Sequence, residues 1–151
     1  MKRLLIISLI TFLYSCGYTS VYNDQEKRDL LINIQNVKGD NEINTFLKNE
    51  LKIASDMNSN NIYNISYVTE YKKITLAKDT TGKATDFRLD MSVKFLIISN
   101  ENREINFNEN FKIKDNNENF EQTNYEKEIK KNFSKNVRDK LILYLLTLND
   151  N

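Results

Sequence analysis

Histidine, proline and tryptophan are absent from this 151-residue chain, cysteine occurs once and glycine three times. Without histidine, the chain lacks the usual general base at neutral pH and the commonest metal ligand. A single cysteine excludes an internal disulfide and a zinc site built from cysteines. Three scattered glycines provide no glycine-rich loop for phosphate binding. These absences argue against an enzyme and predict no bound metal or cofactor.

The chain also has no large excess of charge of either sign, since it contains 22 Lys and Arg residues and 21 Asp and Glu residues. With no basic excess, we expect no nucleic-acid partner. Asp86 and Asp90 lie on one face of a predicted strand on either side of Arg88, which favours a solvated charged face over an acid/base pair. The enzymatic alternative is a glycan hydrolase, which would need two carboxylates about 5–9 Å apart in a cleft.

The first fifteen residues have the pattern of a secretory signal peptide. Lys2 and Arg3 form a charged start, and Leu4 to Leu13 is an apolar run interrupted only by Ser8 and Thr11. Because a membrane-spanning helix needs about 20 apolar residues, this run is too short to be a stable transmembrane anchor. It predicts a signal peptide over residues 1–15.

Cys16 lies where a bacterial lipoprotein is cleaved and acylated. The sequence Leu13-Tyr14-Ser15-Cys16-Gly17 places a leucine three residues before the cysteine and a small residue directly before it. We expect a diacylglycerol on the Cys16 thiol and an acyl chain on the new N-terminus, because stable anchoring takes more than one chain. Gly17 stands where aspartate would favour inner-membrane retention, so the periplasmic side of the outer membrane is expected. The alternative is an ordinary signal peptide followed by a free thiol.

After the lipidated N-terminus and tether (residues 16–29), one domain is expected over residues 30–151. Apolar periodicity predicts four strands, at Leu30–Gln35, Tyr63–Tyr71, Phe87–Ile97 and Ile105–Ile113. It also predicts two helices. The first is capped by Asp40 and ends near Asn58–Asn61, and the second runs from Thr123 to Leu148. Thr123 and Glu126 form a capping box in this prediction. The order β-α-β-β-β-α predicts an α+β fold: a two-layer sandwich with two helices on a mainly antiparallel four-stranded sheet.

A polar loop between the second and third strands is the main candidate for ligand binding. Lys78 and Lys83 flank the hydroxyl-rich turn Asp79-Thr80-Thr81-Gly82. Two lysines at a sheet end can bind a phosphate as point charges. The alternative is a solvated hairpin loop. The tyrosines of the second strand are explained better by strand propensity and core packing than by stacking on a sugar or base.

Three segments together resemble the LPS-assembly lipoprotein LptE (RlpB) family. Cys-Gly-Tyr-Thr-Ser-Val-Tyr at 16–22 resembles the mature start of that family. Residues 77–85, followed by a strand from Asp86-Phe87, resemble its central loop and strand, and the closing helix from Asn124 to Leu148 matches in position and pattern. The resemblance covers essentially the whole mature chain.

This resemblance implies a non-enzymatic outer-membrane lipoprotein. Such proteins plug a large LptD-type β-barrel, support its assembly and help deliver lipopolysaccharide to the outer leaflet. The family is also thought to bind lipopolysaccharide through basic residues near the central loop, a role that carries over to Lys78 and Lys83, while the family's basic position just before the turn falls near Thr80. The alternative function is a generic periplasm-facing adaptor lipoprotein, such as a pilotin or a barrel-assembly accessory.

Overall fold

The computed structural model describes residues 30–98, 101–116 and 118–149. The elements are β1 (Leu31–Gly39), α1 (Asn41–Ala54), β2 (Ile62–Lys78), β3 (Ala84–Ile98), β4 (Arg103–Lys114) and α2 (Asn119–Asn149). The predicted signal peptide, the tether and the lipid-attachment residue Cys16 lie outside the described residues, as do residues 99 and 100 of the predicted β3–β4 connection.

The four strands form one mixed sheet in the order β1-β2-β3-β4. β1 pairs in parallel with β2, which is possible because α1 carries the chain back to the start of the sheet. β2, β3 and β4 are joined in sequence and pair antiparallel. The predicted α+β fold, with two helices and a mainly antiparallel four-stranded sheet, is confirmed.

Both helices pack on one face of the sheet, and the core lies between the two layers. In β3 the odd-numbered residues from Leu89 to Ile97 are buried against the helices, while the alternating residues face the other way. No helix in the described part of the chain covers that second face. The largest fully buried side chains are Tyr67, Phe95, Phe133, Leu30, Ile43, Leu47, Leu51, Ile65, Leu89, Ile97, Leu141 and Ile142.

α1 begins as predicted but ends earlier. The Asp40 carboxylate accepts a 2.9 Å hydrogen bond from the Ile43 N–H, so Asp40 is the N-cap. The helix ends at Ala54 rather than near Asn58–Asn61, because the next residues bond to the start of the sheet. The Ser55 hydroxyl accepts from the Ile32 N–H at 2.9 Å.

The predicted capping box of α2 is wrong. The helix begins at Asn119, so Thr123 lies inside it and its hydroxyl donates to the Asn119 carbonyl at 2.8 Å. Gln122 contacts the segment before the helix, where its side-chain oxygen accepts from the Asn116 N–H at 2.9 Å. Glu126 points to the sheet instead of back to Thr123, as described below.

The buried stripe of α2 starts one turn later than the sequence pattern indicates. Tyr125 is 56% exposed, although it heads the predicted stripe. The buried residues of the stripe are Ile129, Phe133, Val137, Leu141 and Leu145. Their spacing of four residues keeps one helical face against the sheet and α1.

Candidate functional site

The end of the sheet that carries the predicted lysines is a long extension of β2 and β3. β2 continues seven residues beyond the predicted end at Tyr71, and all of these residues are exposed. Ile74 and Leu76 are exposed apolar residues of this extension. Alternation between polar and apolar residues becomes irregular after Tyr71, which is why the sequence pattern ends the strand too early.

Asp79 holds the turn between β2 and β3 together. One oxygen of its carboxylate accepts hydrogen bonds from the Thr81 hydroxyl at 2.6 Å, the Thr81 N–H at 2.8 Å and the Lys83 N–H at 3.0 Å. These bonds, led by the one from the Thr81 hydroxyl, lower the pKa of Asp79. Gly82 has a φ of +87°, the left-handed conformation that a tight turn often requires. The turn is therefore closed by a local network that fixes the backbone of Lys83.

Lys78 and Lys83 lie on the two sides of this turn. Lys78 is exposed, is the last residue of β2 and forms no ion pair with any described residue. Lys83 forms a 3.0 Å ion pair with Asp115, just after β4, and its side chain stays 56% exposed. The two lysines thus share one hairpin, with Lys78 the less neutralised. Thr80 is exposed between them.

Two further lysines that the sequence reasoning missed lie beside this hairpin. Lys112 pairs in register with Arg88, and Lys114 with Asp86, on the uncovered face of the sheet. Both lysines are exposed and have no ion pair among the residues described. The predicted alternation of the fourth strand already places its even-numbered residues on that face. The antiparallel pairing of β4 with β3 then brings these two lysines beside the hairpin, and this pairing was the signal in the sequence that could have identified them.

The charges of β3 at this end are satisfied within the sheet. Arg88 donates to both oxygens of Asp90, at 2.8 and 3.0 Å. The Thr85 hydroxyl donates to Asp86 at 2.8 Å. The carboxylates of Asp86 and Asp90 thus each have a hydrogen-bond donor on the same strand.

The end of the sheet around the β2–β3 turn, which we call the hairpin end, carries both cationic side chains (Lys78, Lys83, Lys112 and Lys114) and the apolar Ile74. One ligand could contact both kinds of group. Ile74 lies in the same cross-strand row as Arg88 and Lys112. Ammonium groups bind phosphate as point charges, and exposed aliphatic side chains contact hydrocarbon. The combination is suited to an anionic amphiphile.

A buried ion cluster under α2 fixes the start of α1 and the middle of β2. The Lys130 side chain is only 8% exposed, and its ammonium lies 2.8 Å from Glu42 and 3.4 Å from Asp40. It also lies 3.9 Å from the centre of the Tyr71 ring. Because a buried charge is costly unless it is paired, these partners explain why a lysine is tolerated here.

Glu126 links α2 to the strand that leads to the hairpin. Its carboxylate accepts from Lys73 at 2.5 Å, Tyr71 at 2.9 Å and Gln122 at 2.9 Å. Burial alone would raise the pKa of Glu126, but these hydrogen bonds outweigh it and lower the pKa. Burial, followed by the hydrogen bond to Glu126, raises the pKa of Tyr71 above its ordinary value.

Neither a metal centre nor a membrane-spanning helix is present in the described ranges. Within residues 30–98, 101–116 and 118–149, no three acidic or cysteine side chains are grouped so that they could hold a metal ion. In these same ranges, no helix combines the length and the apolar character needed to cross a bilayer.

Two open depressions lie on the uncovered face of the sheet. One, of about 300 Å³, is lined by polar residues of β2, β3 and β4, including Glu70, Asp90 and Glu109. The other, of about 260 Å³, lies between β1, β2 and β3 near Lys38 and Lys94. Glu70 and Asp90 form ion pairs with Lys72 and Arg88, whereas the Glu109 carboxylate lies on the helix side of the sheet and binds Lys140 of α2.

Comparison with solved structures identifies the fold. The chain is similar to rare lipoprotein B from Shewanella oneidensis, with a TM-score of 0.54 and 13% identity, over 78% of this chain and 96% of that one. The fold is that of rare lipoprotein B. A lipoprotein from Caulobacter crescentus, described as putative, is similar at the same TM-score and identity, over 82% of this chain and 91% of that one.

The resemblance to RlpB inferred from the sequence is thereby confirmed at the level of the fold. The similarity extends over nearly the whole of rare lipoprotein B, so it includes both layers of the sandwich. No family model matches the sequence, and no curated protein does. At 13% identity it is the order and packing of the elements that the two chains share.

Proposed function

We propose that this protein is a non-enzymatic lipoprotein of the outer membrane that plugs an LptD-type β-barrel, supports its assembly and helps deliver lipopolysaccharide to the outer leaflet. The observation that carries the proposal is the fold shared with rare lipoprotein B over 96% of that chain. The acylation sequence around Cys16 supplies the anchor on the periplasmic side.

The shape and polarity of the domain support the role of a plug. The lumen of a wide outer-membrane barrel is polar. The uncovered face of the sheet presents amide, hydroxyl and charged side chains along all four strands, among them Asn106, Asn108 and Asn110 of β4. At about 3.3 Å per residue, the 17 residues of β2 span more than the thickness of a bilayer's hydrocarbon core, so the body is long enough to occupy a barrel.

The hairpin end supports contact with lipopolysaccharide. Lys78, Lys83, Lys112 and Lys114 are exposed there. Ile74 adds an apolar side chain to the same surface. Phosphate groups and acyl chains on one ligand match this pair of chemistries.

Catalysis has no part in the proposal. A glycan hydrolase needs one carboxylic acid and one free carboxylate facing each other across a cleft. Glu70 and Asp90 line a depression, but each is held in an ion pair, with Lys72 and Arg88 respectively, and the Glu109 carboxylate binds Lys140 of α2 on the other side of the sheet.

The deciding experiment is purification of the full chain from native outer membranes in mild detergent. We expect a large β-barrel protein to co-purify in a stoichiometric amount, and mass spectrometry of the N-terminal peptide to show an acylated Cys16. The Cys16→Ala variant is the control, and it should give a folded protein that no longer fractionates with membranes.

Other outcomes would contradict the proposal. Recovery of a secretion channel or of a barrel-assembly machine in place of an LptD-type barrel would favour the adaptor alternative. An unmodified Cys16 thiol, or a chain that still begins with Met1, would exclude the anchor. A Cys16→Ala variant that stays with membranes lacking the barrel would exclude it as well.

A further inference from the structure

Exposed apolar side chains surround the end of the sheet where the described chain begins. Five residues form what we call the tether-end surface: Ile53, Met57, Ile62, Ile98 and Leu143. Met57 is 87% exposed and Ile53 is 72% exposed. Large apolar side chains this exposed cost free energy in water. They flank this end of the domain on both sides: Ile62 and Ile98 lie on the uncovered face of the sheet, and Ile53 and Leu143 on the outer side of the helices.

Hydrogen bonds and strand register place these residues at one end of the molecule. The Leu31 N–H donates to Asn61 at 2.8 Å, next to Ile62, and the Asp56 N–H donates to Leu30 at 2.9 Å, next to Met57. Ile98 pairs in register with Asn64, two residues beyond Ile62.

The two helices contribute the remaining side chains of this surface. Ile53 lies in the last turn of α1, close to the Ser55 hydroxyl that binds β1. Leu143 lies half a turn of α2 before Leu145, whose carbonyl accepts from the Tyr63 hydroxyl at 2.9 Å. The tether-end surface thus includes residues from both layers of the sandwich.

The proposed anchor lies close to this surface along the chain. Residues 17–29 separate Cys16 from Leu30, and even a fully extended chain of that length reaches no further than about 50 Å. A short connection of this kind gives the tethered surface an effective concentration of about 1 mM at the bilayer. The connection therefore keeps this end of the domain near the bilayer.

We propose that, in the lipid-anchored protein free of a barrel, the tether-end surface rests on the bilayer with its apolar side chains at the boundary between headgroups and acyl chains. The inference depends on the anchor in the proposed function. The sheet then stands away from the membrane, with the hairpin end farthest from it. Ile62 and Leu76 are both in β2, and 14 residues at about 3.3 Å place them about 46 Å apart.

Because the chain has no tryptophan, a single introduced tryptophan reports on one position. We would purify lipidated full-length Met57→Trp and reconstitute it in phosphatidylethanolamine and phosphatidylglycerol vesicles whose acyl chains are brominated. Quenching of the fluorescence by about twofold or more, relative to unbrominated vesicles, is expected for a ring in the interfacial zone. Leu76→Trp is the matched control at the hairpin end, and its fluorescence should not change.

A second variant tests whether the apolar surface itself causes the contact. In the Met57→Trp background, Ile62→Glu places a charge at the exposed first residue of β2 and should at least halve the quenching. Flotation of the vesicles is measured in parallel, and every lipidated variant should float.

The outcomes separate the docking from the anchor. Protein that floats but shows no quenching at position 57, or equal quenching at position 76, overturns the docking and leaves the anchor intact. Quenching at position 57 that is unchanged by Ile62→Glu also overturns it. Protein that does not float contradicts the anchor and the docking together.

Discussion

Gly39 and Thr69 approach each other so closely that no side chain fits between them. A Cβ built on Gly39 would lie 1.8 Å from the Thr69 carbonyl oxygen, and Gly39 has a φ of +107°. The two residues pair in register at the end of β1, one residue before the N-cap Asp40. The turn from β1 into α1 therefore requires glycine.

Gly39→Ala is expected to lower the free energy of unfolding by about 3 kcal/mol or more, because backbone must move and the φ is unfavourable. Urea denaturation measures the effect. Gly82→Ala is the matched control: Gly82 also has a positive φ, of +87°, but open space around it. The control should cost about 1 kcal/mol, and equal losses in both variants would contradict the steric argument.

Lys130→Ala should destabilise the fold by about 2 kcal/mol, since it leaves Asp40 and Glu42 without their shared buried cation. The neighbouring Lys131→Ala removes only a 3.8 Å pair between exposed side chains and should cost less than about 0.5 kcal/mol. Thermal or urea unfolding of the two variants side by side provides the measurement. Similar values for both would mean that the buried cluster contributes no more than a surface pair.

Glu126 makes stability depend on acid pH. Its pKa is lowered in the folded state from an ordinary value of 4.5, so its contribution is present above about pH 4.5 and is lost as the pH falls through the folded pKa. Glu126→Gln should reduce the free energy of unfolding near neutral pH and reduce its fall as the pH drops below about 4.5. Glu128→Gln, which removes a mostly exposed carboxylate from the same helix, is the matched control for the change in net charge. An unchanged acid profile in Glu126→Gln would disprove the assignment.

Charge reversal at the hairpin tests the proposed ligand contact. Lys78→Glu with Lys83→Glu should weaken lipopolysaccharide binding by about tenfold or more. The melting temperature should fall only slightly, since both side chains are largely exposed and the one ion pair lost is that of Lys83 with Asp115. Lys127→Glu with Lys135→Glu makes the same change in net charge on exposed positions of α2 and should leave binding unchanged. Equal binding by the two double variants would show that the hairpin is a solvated loop with no part in ligand binding.

Lys112→Glu with Lys114→Glu extends the same test to β4. We expect a loss comparable to that of the hairpin pair, since these lysines lie in register with β3 at the same sheet end. Binding assays on immobilised lipopolysaccharide, with circular dichroism as the check on folding, provide the readout. Unchanged binding would confine the contact to the turn.

The fold was largely predictable because its layers follow from apolar periodicity. Alternation in β3 and the four-residue spacing of Phe133, Val137 and Leu141 identify the faces that form the core. Element ends were less predictable, because they depend on contacts with distant segments. α1 stops at Ala54 since Ser55 binds Ile32, and no local pattern near Ser55 contains that information.

The burial of Lys130 and the hydrogen-bond partners of Glu126 could not be predicted from the sequence, because both depend on contacts with distant segments. Lys130 is buried because Asp40 and Glu42, 88 or more residues away, meet it in space. Glu126 was assigned to a capping box because Thr123 precedes it by three residues, but its partners are Lys73 and Tyr71 on β2. The candidate hairpin was located from its flanking lysines, whereas Lys112 and Lys114 required the strand pairing.

No helix of the described residues covers the second face of the sheet, so neighbouring residues of one strand have different roles. In β3, Leu89, Met91 and Val93 sit in the core, while Arg88, Asp90 and Ser92 contribute nothing to the contact between the layers. Substitutions at the second set can retune what the protein touches without disturbing how it folds. A scaffold of this kind can change its contacts across species while its architecture stays constant, which suits a chain that shares a fold at 13% identity.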